Sequence, residues 1–215
     1  MTINKIFLAS SEELKPERLV IAELITKLNF IWAEYDISIR LVKWEYLDSS
    51  MGAQHKQEDY NDYLCQCDMC VVMYWTKFGM YTEIELETAY KLFTSDGNLK
   101  LMAVMFKDGG DVTPILHDFR QKYEAKHPEL CHTFMDKSHL RLLFTQQVIQ
   151  CIQLKIEDEH ELLTKNIRKL QKLLAITEED DPDYKEYLFE LQSAQNDLAK
   201  NESLISDLGR TIQNI

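Results

Sequence analysis

The chain has 215 residues, 45% hydrophobic and 28% charged, enough for one domain of about 100–150 residues plus an appendage. Its formal net charge of −12 argues against a nucleic-acid partner, because phosphate binding needs clustered Lys and Arg. No apolar run reaches the ~18 residues of a bilayer span, Met1–Lys5 leads into strand-like sequence rather than a signal peptide, and the five cysteines read as reduced thiols, so a cytoplasmic protein off the membrane is expected.

Lys5-Ile6-Phe7-Leu8-Ala9 reads as a first buried strand. The polar stretch Ser10–Lys15 follows, and Pro16 suits the first turn of a helix. Leu19, Val20, Glu23, Leu24, Lys27 and Leu28 carry that helix's period, with apolar residues on one side. Ile37–Trp44 alternates over its first half and predicts a second strand. Asp48–Ala53 is rich in turn formers, and Gln57–Cys65 is expected to form a short helix. Met69–Trp75 is a continuous hydrophobic run, long enough for a buried strand and too short for a typical helix. Gly79 breaks it, and Thr82–Tyr90 reads as helix with Leu86, Ala89, Tyr90 and Phe93 on one face.

Asp96-Gly97-Asn98 is a turn, Leu99–Phe106 a fourth strand, and Asp108–Asp111 closes it. Thr113-Pro114 pairs a capping hydroxyl with a proline at a helix start. His132–Met135 predicts a short fifth strand before a helix from about Ser138. Strands alternating with helices argue for an α/β fold with a parallel sheet of about five strands, covered on both faces.

Past residue 150 the pattern changes. Ile149, Ile156, Leu163 and Leu170 are spaced by seven, with Ile167 and Leu174 between. Glu178–Asp183, with Pro182, interrupts the helix. Tyr184, Leu191, Leu198, Ile205 and Ile212 then form a second heptad series, interleaved with Tyr187, Ala194, Leu208 and Ile215. This predicts a domain over 1–150 and, over 151–215, an α-helical hairpin or a coiled coil that pairs between chains. Asn201 on the seam either fixes register or is solvated. Because the heptads run to the last residue, a longer parent protein is one expectation.

Cys65, Cys67 and Cys70 invite a metal reading, but neither Cys131 nor Cys151 supplies a second cluster, so no metal is expected. The six histidines show no triad spacing, and only His55, in the loop after the second strand, merits attention. The acidic helix from Thr82 starts at the carboxyl end of a buried strand, where open α/β sheets bind ligands.

The order Ile6-Phe7-Leu8-Ala9-Ser10, the loop Asp48–Gly52, Cys67-Asp68 before Val71-Val72-Met73, and Glu85-Leu86-Glu87-Thr88-Ala89 resembles the TIR domain family, particularly its bacterial members. The resemblance covers roughly residues 4–150. It implies a flavodoxin-like TIR domain and an NAD+ nucleosidase, hydrolysing or cyclising NAD+ to nicotinamide and ADP-ribose-type products in antiphage or immune-like signalling. It implies Glu85 as the catalytic carboxylate, NAD+ as substrate without a further cofactor, and activation by self-association into dimers or higher oligomers. A separate sensor subunit is a further candidate partner.

The chemistry agrees with a single carboxylate. Cleaving the nicotinamide–ribose bond builds oxocarbenium-like positive charge, which a fixed carboxylate stabilises, and nicotinamide leaves neutral without an acid. Thr82-x-x-Glu85 is equally a capping box, and periodicity alone does not separate Glu83, Glu85 and Glu87. Trp44, Trp75, Phe78 and Tyr81 are candidates to stack on a base or nicotinamide ring, or they pack in the core. Ser10 and Ser11 either hydrogen-bond ribose or phosphate or cap a turn. Ala9 stands where the family commonly has serine, and no Gly-rich phosphate loop is present. Two other functions fit: a nucleoside 2-deoxyribosyltransferase-like enzyme with a nucleophilic glutamate, and a non-catalytic TIR scaffold.

Overall fold

The computed structural model describes residues 2–43, 63–78, 82–95 and 99–213, with backbone alone at 2–3, 43, 82–85 and 209–213. Its strands are β1 (Thr2–Ser10), β2 (Ile37–Lys43), β3 (Met69–Tyr74), β4 (Leu101–Lys107) and β5 (Cys131–Phe134). Its helices are α1 (Lys15–Trp32), α2 (Thr82–Thr94), α3 (Pro114–Lys126), α4 (Lys137–Leu174) and α5 (Pro182–Gln213). All strand pairs are parallel, in the order β2-β1-β3-β4-β5, which is the flavodoxin-like order. The chain is thus an α/β protein built on a parallel sheet. Trp44, the loop Asp48–Lys56 with His55, most of the expected helix Gln57–Cys65, Gly79 and Tyr81 lie outside the described residues.

Continuous apolar runs form the central strands because both faces of the sheet are covered. One face brings Phe7, Cys70, Val72, Tyr74, Val104 and Phe106 against Leu86 and Ala89 of α2 and Leu116 of α3. The alternate residues Ile6, Leu8, Val71, Met73, Ala103 and Met105 are also buried. The stripe Leu14, Arg18, Ile21, Ile25, Leu28 and Trp32 is buried as well, at spacings of three and four along the first helical segment. Leu19, expected on the apolar side, is instead 56% exposed, and Glu17 and Arg18 are inside. The reason is the partners those charges find at the end of the sheet.

Two polar side chains fix the strands. Asp68 accepts a hydrogen bond from the Lys5 N–H at 2.7 Å, while its carbonyl accepts from Lys100 at 2.8 Å, so it aligns the middle of β1 with the starts of β3 and β4. Asn29 of α1 acts as a substitute strand for β2. Its Nδ2 donates to the Ile39 carbonyl at 2.9 Å, and its Oδ1 accepts from the Ile39 N–H at 2.6 Å. Pro114 opens α3 as expected, but the Thr113 hydroxyl makes no cap hydrogen bond. The Thr113 N–H instead donates to the Thr76 carbonyl at 2.8 Å, tying the loop after β4 to the loop after β3.

The chain divides into compact units Met1–Cys151 and Ile152–Ile215, with α4 running through the division as one 38-residue helix. In the second unit Ile167, Leu170, Ala194 and Leu208 are buried, and His160 Nε2 lies 3.6 Å from Glu202 Oε1. The acidic interruption is also a helix start. Asp181 accepts from the Asp183 N–H at 2.9 Å, directly before α5 begins with proline.

Replacing Asn29 by Ala strands two backbone groups of a buried residue, a loss of about 1–3 kcal/mol. Urea denaturation should show a lower midpoint with an unchanged slope. A midpoint equal to wild type would mean that water replaces the amide without cost.

Candidate functional site

The sheet reverses its winding between β1 and β3, and the crevice outside the carboxyl ends of those strands is where such folds bind ligands. The chain enters it after Ser10 and again after Tyr74. Glu13 joins the two entrances. Its carboxylate accepts from the Thr76 N–H at 3.0 Å, from the Thr76 hydroxyl in a short contact, from the Lys77 N–H at 3.4 Å and from the Ser11 hydroxyl at 3.0 Å. Partial burial pushes this acid up, but the bonds from Thr76, Ser11 and Lys77 outweigh it and hold it below its ordinary 4.5.

Behind that bridge lie two buried charges from α1. Arg18, 2% exposed, donates to Ser10 Oγ at 2.9 Å, to the Ser11 carbonyl at 2.8 Å and to Glu12 Oε2 at 3.2 Å. Glu17, 4% exposed, accepts from the Lys107 ammonium at 2.8 Å through one oxygen, and its other oxygen, Oε2, has no hydrogen-bond partner. Lys107 ends β4 and stands 3.5 Å from the centre of the Trp75 ring, a cation–π contact. Trp75 donates its indole N–H to the Gly109 carbonyl at 2.8 Å. Gly110 is needed beside it: its φ is +86°, and a Cβ there would lie 2.9 Å from the indole nitrogen.

The structure brings Ser10, Ser11 and Trp75 together at this crevice. Both serines are buried, one bonded to Arg18 and one to Glu13. Ser11 stands at the start of the 3-10 turn Glu12–Leu14, yet its hydroxyl makes no cap bond there. Phe78 packs edge-on to Tyr74 at 5.4 Å and to Phe119 at 4.9 Å, as part of an aromatic series that continues through Tyr123 to His127. Glu85 falls in the first turn of α2, after the carboxyl end of β3. The side chains of Glu83 and Glu85 lie outside the described residues, as do Trp44 and Tyr81, while Glu87 is exposed.

Reading the sequence missed Glu13, Glu17, Arg18, Thr76 and Lys107. A signal for Arg18 was present: it lies four residues after Leu14 and three before Ile21, inside the apolar stripe. Burial, with Asp68 adding to it, pushes the Cys67 thiol up to about 12, and burial raises Cys131 to about 11, so both stay protonated at neutral pH. Among the described residues no cluster of three or more His, Cys, Asp or Glu is placed to hold a metal. No family model matches the chain, and no curated protein matches it significantly.

Because the folded-state acid of Glu13 is depressed, its stabilisation is complete above its unfolded value and is lost as pH falls through the folded one. Comparing wild type with Glu13→Ala by urea denaturation should show a stability gap that is constant near neutrality and narrows below pH 4.5. A gap unchanged down to pH 3 would mean that the ionised carboxylate is not what joins the two loops.

Proposed function

We propose that this chain is a TIR-type NAD+ nucleosidase in which Glu85 stabilises the ribose cation formed as nicotinamide leaves. The observation that carries this reading is positional. In a β2-β1-β3-β4-β5 sheet, the helix after β3 begins beside the switch point, and Glu85 is in that helix's first turn. A helix N-terminus favours a carboxylate's ionised form, so Glu85 would meet the developing positive charge without first losing a proton. Trp75, half-buried at the rim, supplies an aromatic face for a planar ring. Ser10 and Ser11 lie at the end of β1 and Phe78 belongs to the aromatic core after β3, while Trp44 and Tyr81 stay candidates on sequence alone. The helices beyond residue 151 act as a hairpin that brings copies of the domain together, in a cytoplasmic defence or signalling role.

One observation favours a second reading. The switch point is bridged by the chain's own Glu13 and Thr76, as suits a domain that assembles without turning over substrate. Incubating the purified chain with NAD+ and, separately, with deoxynucleosides decides among the readings. Loss of nicotinamide from NAD+ alone supports the nucleosidase, base exchange on deoxynucleosides supports a deoxyribosyltransferase, and neither supports a scaffold.

Glu85→Gln, nearly isosteric and uncharged, should lower nicotinamide release by about 10²–10³ with an unchanged circular dichroism spectrum. Glu83→Gln and Glu87→Gln should be milder. A dead Glu83 variant beside an active Glu85 variant would reassign the acid.

Buried Leu→Ala changes typically cost about 2–5 kcal/mol, and a buried Asp costs more. Leu170→Asp with Leu198→Asp should therefore unfold the hairpin and lower activity per molecule, and an unrelated oligomerising coiled coil fused after residue 150 should restore it. Insolubility of the domain ending at residue 150 would show that the two units share one core.

A further inference from the structure

The last turns of α4 carry a charge pattern that the sheet-domain chemistry does not use. Lys165, Arg168, Lys169 and Lys172 fall on one helical face, turned away from buried Ile167 and Leu170, and all four are exposed. With Leu173 and Ile176 they line a shallow groove. Ile176 is 81% exposed, an apolar side chain at the end of a cationic strip. Lys165 pairs with Glu161 at 2.6 Å, whereas Arg168, Lys169 and Lys172 form no ion pair among the described residues. The next segment, Glu178-Glu179-Asp180-Asp181, is acidic and exposed. Of these, only Asp181 has a hydrogen-bonding task for its carboxylate, the cap of α5.

We propose that this groove docks the acidic turn Glu178–Asp181 of a second copy of this chain. The two charge blocks flank Leu173 and Ile176, one before and one after, so a two-fold axis near Leu173 brings each basic face against the other copy's acidic turn. The same surface then serves both copies, and the apolar pair lies between the two electrostatic contacts. The acidic run beside the groove opposes the approach of a free polyanion, and on a second copy it supplies a counter-surface of opposite sign and similar length. The contact rests mainly on exposed charge pairs, which salt screens, so the association is weak and salt-sensitive. It is independent of whether the chain cleaves NAD+.

The test is sedimentation velocity of the full chain at rising concentration, in about 20 mM and about 500 mM salt. Concentration-dependent dimers are expected at low salt, weakened by about tenfold or more at high salt. R168E/K169E/K172E should be monomeric, and so should E178K/E179K/D180K, with helix content checked by circular dichroism. Mixing these two variants places opposite charges at both contacts and should give a heterodimer that neither forms alone. The proposal is overturned if wild type stays monomeric at low salt, if its dimer ignores both reversals, or if the mixed variants fail to pair. A monomeric wild type that binds heparin through these cations would mean that the groove takes a polyanion instead.

Discussion

The reversal of winding between β1 and β3 is the constraint on which the rest of the sheet domain depends. It opens a gap outside the carboxyl ends of two adjacent strands, where the chain leaving β3 presents the Thr76 and Lys77 N–H groups. Glu13 satisfies the Thr76 and Lys77 N–H groups from a turn 63 residues earlier in sequence, so one carboxylate holds the two entrances of the crevice together. Its ionised form is the better acceptor, which is why the hydrogen bonds keep its acid low despite partial burial.

Burying Glu17 and Arg18 is costly unless each finds a partner, and the fold supplies partners from both sides of the switch point. Arg18 is held by the Ser10 hydroxyl and Ser11 carbonyl at the end of β1, and Glu17 by Lys107 at the end of β4. Lys107 in turn lies on Trp75, and the indole is fixed by the Gly109 carbonyl. One continuous polar series therefore runs from β1 through α1 to β4 and back to β3. Its members rigidify the end of the sheet where a ligand would approach, since removing one leaves another charge buried without compensation.

The strands were legible in the sequence because a strand covered on both faces needs an uninterrupted apolar run, and Met69–Tyr74 is one. The apolar stripe of α2 was legible for the same reason, with Leu86 and Ala89 buried where their spacing put them. The polar series was not. Ser10–Lys15 reads only as a polar stretch before a helix, and the roles of Glu13 and Glu17 come from Thr76 and Lys107, which are 63 and 90 residues away from them. Local pattern carries no information about such pairings. The break near residue 150 illustrates the converse. A change of hydrophobic period is visible in sequence, but the backbone crosses it as unbroken helix from Lys137 to Leu174.

Under the proposed NAD+ reading, the charge balance at the crevice has a direct consequence. Glu12 and Glu13 follow β1, while Glu83, Glu85 and Glu87 occupy the opening turns of α2. Against them, Arg18 and Lys107 are engaged by Glu12 and Glu17. An excess of carboxylates suits a ribose cation but opposes the approach of a diphosphate, and no Gly-rich loop offers backbone donors to offset that repulsion. The exposed Lys77 after β3 offsets part of that repulsion, and the reading calls for further donors from outside this cluster. The loop Asp48–Lys56, from the same chain or from a neighbouring copy, is the segment whose place in the order of elements allows it. On this reading, the carboxylate that meets the ribose cation and the donors that meet the diphosphate belong to different segments of the chain.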